Sequence, residues 1–115
     1  MAIPDFQSIL KPLLEYATGQ ETVVMNSAIE AMRKRFKLSD DDFKQRNTGG
    51  TQTFRNRVHW AQQYLVFASL LEPHGRGCVQ ITPLGMEWSK KKVGGFKISD
   101  LKTISGFKYF TILAT

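Results

Sequence analysis

Cysteine is almost absent from this 115-residue chain: Cys78 stands alone. A single thiol excludes an intramolecular disulfide and any cysteine-based zinc site, and it points to the reduced cytosol. Long hydrophobic runs are missing too. No window approaches the roughly 18 apolar residues of a membrane helix, and the opening MAIPDFQSIL has no basic start followed by a long apolar run. A cytoplasmic protein without membrane contact is expected. The length leaves no room for a second, catalytic domain, and there is no internal repeat or low-complexity tract.

Acid is scarce where base is plentiful. Residues 1–50 hold seven Lys/Arg and seven Asp/Glu, residues 51–92 six against two, and residues 93–115 three against one, so the net charge of +6 arises entirely after Thr51. A localised cationic excess suits nucleic acid, an anionic surface or an acidic partner, with a solvated basic face as the plain alternative.

The periodicity predicts a first amphipathic helix from Pro4 to about Thr18, with Pro12 inside as a kink or a lost hydrogen bond and Gly19 as a left-handed cap. Val23 and Val24 suggest one short strand. Ser27 and Glu30 have the spacing of a capping box for a second helix, which buries Ala28, Ile29, Met32 and Phe36 and carries Arg33, Lys34, Arg35 and Lys37 on its other side. Ser39-Asp40-Asp41-Asp42 invites a metal or general-acid reading. Serine as cap and acids in the first turn of a short helix explain it better, and no further ligand stands at metal spacing.

The centre of the chain is Thr51–Thr82. Phe54, Val58, Ala61, Leu65 and Ala68 form one helical core stripe, with Trp60, Tyr64, Phe67 and Leu71 widening it; Trp60 is assigned to the core. The opposite face carries Gln52, Arg55, Asn56, His59, Gln62 and Gln63, with no acid among them. Thr51 or Thr53 is expected to cap this helix. Leu70-Leu71-Glu72 and Cys78–Ile81 read as strands joined by His74-Gly75-Arg76-Gly77, a tight turn that carries a guanidinium at its tip. Thr82-Pro83 starts another helix, which runs through Leu84 and Trp88 into Lys90-Lys91-Lys92. Residues 93–115 lack a sustained period and read as a linker, a C-terminal arm or a truncated next element beyond a domain of residues 1–92.

This order is that of a winged helix-turn-helix, an α+β, mostly α fold with a two-stranded wing. The sequence also resembles the N-terminal domain of Mrr-type restriction endonucleases. The resemblance covers roughly residues 3–92 and rests on Pro4 and Pro12 with Leu13-Leu14, on Asn56-Arg57-x-x-Trp60-Ala61-x-x-x-Leu65-x-x-Ala68-x-Leu70-Leu71, on Arg76-Gly77, and on Ile81-Thr82-Pro83-x-Gly85. It implies a DNA-binding domain that serves a separate nuclease domain and senses modified bases. Residues after Gly95 do not carry that nuclease's Asp and Glu/Gln-x-Lys pattern, so cleavage is not expected of this chain.

Base edges in the major groove are read by Arg, Asn and Gln near a helix N-terminus. Gln52, Arg55, Asn56 and His59 are the expected readers, with Thr51 and Thr53 on phosphates. Gly75, Arg76 and Gly77 form the wing contact, and Arg33, Lys34, Lys90, Lys91 and Lys92 are candidate phosphate contacts. Arg57 projects close to the core and is assigned to a structural contact with an acid such as Asp5 or Asp40. His59 lacks a second ligand, and neither a metal nor a cofactor is expected. The partner expected is double-stranded DNA, with a nucleoid-associated location; a homodimer and a nuclease domain in a longer protein are further candidates. A protein-interaction or dimerisation module and a stand-alone transcriptional regulator are the competing readings.

Overall fold

The structure, a computed structural model, describes residues 3–46, 50, 52–91 and 95–101. Its elements follow in the order α1 (Phe6–Thr18), β1 (Val23–Val24), α2 (Met25–Arg35), α3 (Asp40–Lys44), α4 (Thr53–Phe67), β2 (Leu71–Pro73), β3 (Cys78–Ile81), α5 (Pro83–Lys91) and α6 (Ile98–Leu101). The three strands form an antiparallel sheet in the order β1-β3-β2, with Val23 opposite Val79 and Leu71 opposite Ile81. This is an α+β, winged-helix-like fold in which β2 and β3 make the hairpin and β1 closes its inner edge.

α4 organises the core, as its periodicity predicts. Phe54, Val58, Ala61, Leu65 and Ala68 are all fully buried, and α1 supplies Ile9, Leu10, Leu13, Leu14 and Ala17 against them. Each such aliphatic side chain contributes roughly 1.5–3 kcal/mol on leaving water. Phe6 of α1 stacks on Tyr64 at 5.2 Å between ring centroids. The core continues past residue 92, because Phe96 and Leu101 are buried and α6 packs on α4.

Several local expectations are revised. α1 begins at Phe6 and not at Pro4, with Asp5 as its N-cap: the Asp5 carboxylate accepts the Ser8 N–H at 2.8 Å, which holds that carboxyl below its ordinary range. Pro12 lies inside an uninterrupted helix, so of the two expected outcomes it is the lost backbone hydrogen bond that applies. Gly19 closes α1 with φ −94°, so its cap is not left-handed. Ser27 does not cap α2. Strand β1 runs straight into that helix, leaving Val24 at the N-cap and Ser27 inside the first turn. Thr53 is likewise the first helical residue of α4 and not its cap, which falls on Gln52.

Other caps follow expectation. Ser39 Oγ accepts from Asp42 N–H at 3.1 Å, the structural role assigned to the acidic run. Thr82 Oγ1 accepts from Gly85 N–H at 3.0 Å and donates to the Ser69 carbonyl at 2.6 Å. Gly85 has a further reason to be glycine: a Cβ there would lie 2.1 Å from the Leu70 carbonyl oxygen. The Thr-Pro-x-Gly run therefore docks α5 directly against the corner between α4 and β2.

Candidate nucleic-acid interface

At about 100° per residue, Gln52, Arg55, Asn56, His59, Trp60 and Gln63 fall at i, i+3, i+4, i+7, i+8 and i+11, on the side of α4 away from its buried stripe. Gln52, Arg55 and Asn56 are half-buried and the other three exposed. No Asp or Glu stands on this stripe. From Gln52 to Gln63 it runs about 16 Å along the helix axis.

Arg55 is held in place without being neutralised. Its Nε donates to Gln52 Oε1 at 3.0 Å, and Nη1 donates to Asn26 Oδ1 at 3.2 Å. Both acceptors are neutral amides, so they orient the guanidinium and leave its charge for a partner. Asn26, in the first turn of α2, is a contributor that the sequence does not reveal. The contact spans 29 residues, and no local pattern marks it.

His59 lies between two shallow grooves. One, of about 360 Å³, is lined by Asn56, His59, Trp60, Gln63 and Phe67; the other, of about 330 Å³, separates α4 from the wing and includes His59, Gln62, Gly75 and Cys78. Partial desolvation, and secondarily the Arg55 guanidinium, hold the imidazole below its ordinary value. Both effects favour the neutral ring, which presents one donor and one acceptor.

The wing is a tight turn. Gly75 and Gly77 have φ of +90° and +69°, conformations costly for other residues, and the His74 N–H donates to the Cys78 carbonyl at 3.0 Å. Arg76 is exposed at the tip. The Met25 N–H donates to the Gly77 carbonyl at 3.0 Å, so the start of α2 is tied to the wing. Asn26, Arg55 and the wing thus share one edge of the molecule.

Trp60 belongs to this surface and not to the core assigned from its periodicity. It is 48% exposed, with its ring 6.2 Å from that of Tyr64. Phe6 covers Tyr64, and Trp60, one turn earlier on α4, is left at the margin.

Arg57 faces the other way, as expected, but its partners are carbonyls and not an acid. Nη1 donates to Ile3 O at 2.9 Å and Pro4 O at 3.1 Å. Asp5 feels its charge, while Asp40 pairs with Arg33. The Thr53 N–H is spent on Gln45 O at 2.9 Å. Thr51 and Lys92 lie outside the described residues.

The remaining candidate cations gather elsewhere. Arg33 bonds Asp40, lies 3.9 Å from Glu30 and covers the Phe43 ring at 4.3 Å. Lys91 pairs with Glu87 at 2.5 Å. Lys34 and Lys90 are exposed at the ends of α2 and α5. Lys11, unremarked in the sequence, is buried within α1 and donates to the Ser89 carbonyl at 2.6 Å, capping the end of α5.

The family model of the Mrr N-terminal domain matches residues 6–91. The type IV methyl-directed restriction enzyme EcoKMrr of Escherichia coli (strain K12) is 30% identical over 89 residues, which cover 76% of this chain and 29% of that enzyme. The chain thus spans less than a third of that relative's length. No solved structure matches the chain. Among the described residues no helix is long and apolar enough to cross a membrane.

Proposed function

Because the chain belongs to the Mrr N-terminal domain family, we propose that it is a double-stranded DNA-binding domain of a restriction system, with α4 as the helix that enters the major groove. The observation that carries this reading is the acid-free stripe from Gln52 to Gln63, on which Arg55 is oriented by neutral amides beside a glycine-flanked Arg76. Asn56 and His59 offer donors and acceptors to base edges. Arg76 reaches a phosphate or the minor groove, and Asn26 and Thr53 stand where the backbone of the duplex would pass. Cleavage is assigned to a nuclease domain of longer restriction proteins, and sensing of modified bases to the α4 surface.

Fluorescence anisotropy with a labelled duplex over a salt series tests this. Affinity falls steeply with salt, and Arg55→Ala and Arg76→Ala each weaken binding and lower the slope of log K against log salt by about one. Unchanged affinity in both variants, or no binding at low salt, overturns the reading.

A further inference from the structure

We propose that Trp60 is the residue through which this surface senses a methyl group at C5 of cytosine. The inference rests on the DNA-binding reading above and assigns its modification-sensing part to one side chain.

C5 methylation adds an apolar group to the major-groove edge of a G·C pair and changes none of its donors or acceptors. Amides and an imidazole alone are blind to it. A side chain that senses it must be apolar, exposed and next to the groups that read the same pair. Trp60 meets all three conditions. It is 48% exposed, it stands four residues after Asn56 and is therefore its neighbour on the helix surface, and it shares one groove with Asn56, His59 and Gln63, over Phe67. That groove is continuous with the stripe proposed to enter the DNA, because Asn56 and His59 belong to both. Methylation at N6 of adenine is a different problem. It removes a donor from the groove edge, which Asn56 would register without any help from an indole.

The test uses three pools of random-sequence duplexes made with ordinary nucleotides, with 5-methylcytosine in place of cytosine, or with N6-methyladenine in place of adenine. The intact chain is titrated with each, alongside Trp60→Phe, Trp60→Ala and, as a control on the reading itself, Arg55→Ala. The expected result is roughly four-fold tighter binding to the 5-methylcytosine pool, the size expected for burying one methyl group. That preference, taken as the ratio of affinities for the 5-methylcytosine and ordinary pools, is absent in Trp60→Ala and partly kept in Trp60→Phe, whatever either variant does to affinity for the ordinary pool. An exposed position makes both variants compatible with folding, which circular dichroism verifies. Equal wild-type binding to the ordinary and 5-methylcytosine pools overturns the inference, as does a preference for the N6-methyladenine pool alone, or a 5-methylcytosine preference that survives in Trp60→Ala. Loss of the oligomeric state of the wild type in Trp60→Ala without any change in methyl preference also overturns it, and assigns the groove to a second copy. In these cases an affinity loss in Arg55→Ala leaves the DNA reading standing. Failure of every pool to bind at low salt removes both.

Discussion

Two regions of this molecule carry positive charge, and they hold it in opposite ways. Beside the wing, Arg55 is gripped by two neutral amides and Arg76 projects from a turn. Around the ends of α2 and α5, four cations are matched, Arg33 with Asp40, Arg35 with Glu15 at 3.1 Å, Lys91 with Glu87, and Lys11 with the carbonyl of Ser89, while Lys34 and Lys90 stay exposed. Exposed ion pairs of this kind contribute about 0–1 kcal/mol each to stability, but they cancel charge that a polyanion would otherwise feel. A net charge of +6 says nothing about that division. Partners decide which cations are available.

The most severe way to break the contrast is to remove its scaffold. Gly85→Ala forces a Cβ against the Leu70 carbonyl and is expected to cost about 3 kcal/mol, read as a lower urea midpoint, with both regions loosened together. Next comes a direct comparison: Arg55→Ala should weaken duplex binding by about 2 kcal/mol, roughly thirty-fold, while Arg35→Ala or Lys91→Ala leaves affinity within about two-fold. Equal losses would erase the distinction. Arg57→Ala separates the two arginines of one helix. It strands the Ile3 and Pro4 carbonyls and should lower unfolding stability by about 1.5 kcal/mol, leaving the salt slope of binding intact.

The smallest effect concerns His59. Its folded value is depressed, so the unfolded chain binds the proton more readily, and its contribution to stability falls as pH drops through the ordinary histidine range near 6.5. DNA favours the charged imidazole, so affinity should rise a few-fold from pH 7.5 to 5.5, and His59→Gln should abolish the rise. A pH-independent affinity in the native chain would show that His59 gains no proton on binding.

Much of this architecture is legible in the sequence because it is local. The α4 stripe is a matter of period, the Ser39 and Thr82 caps of one hydroxyl three residues from its donor, and the wing of two glycines around an arginine. What is not legible depends on distant neighbours. Trp60 lies between the buried stripe and the exposed one, and only the reach of Phe6, which stops at Tyr64, settles its side. Arg55 and Asn26 are 29 residues apart, Lys11 and Ser89 are 78 apart, and nothing in either segment announces the other. The Ser27-Glu30 pair misleads because a strand delivers the chain into α2 already extended at Val24.

The hydrogen bond from Met25 to Gly77 has a dynamic consequence. It links the wing, the first turn of α2 and, through Asn26, the Arg55 guanidinium by hydrogen bonds, and a set linked in this way is expected to open as one unit. Hydrogen exchange should show the Met25 amide opening at the same rate as the hairpin amides of His74 and Cys78, and duplex binding should slow all three together. In the DNA-binding mode proposed above, a wing that meets the duplex would then also set the arginine on α4, so that backbone grip and base contact are acquired in one step.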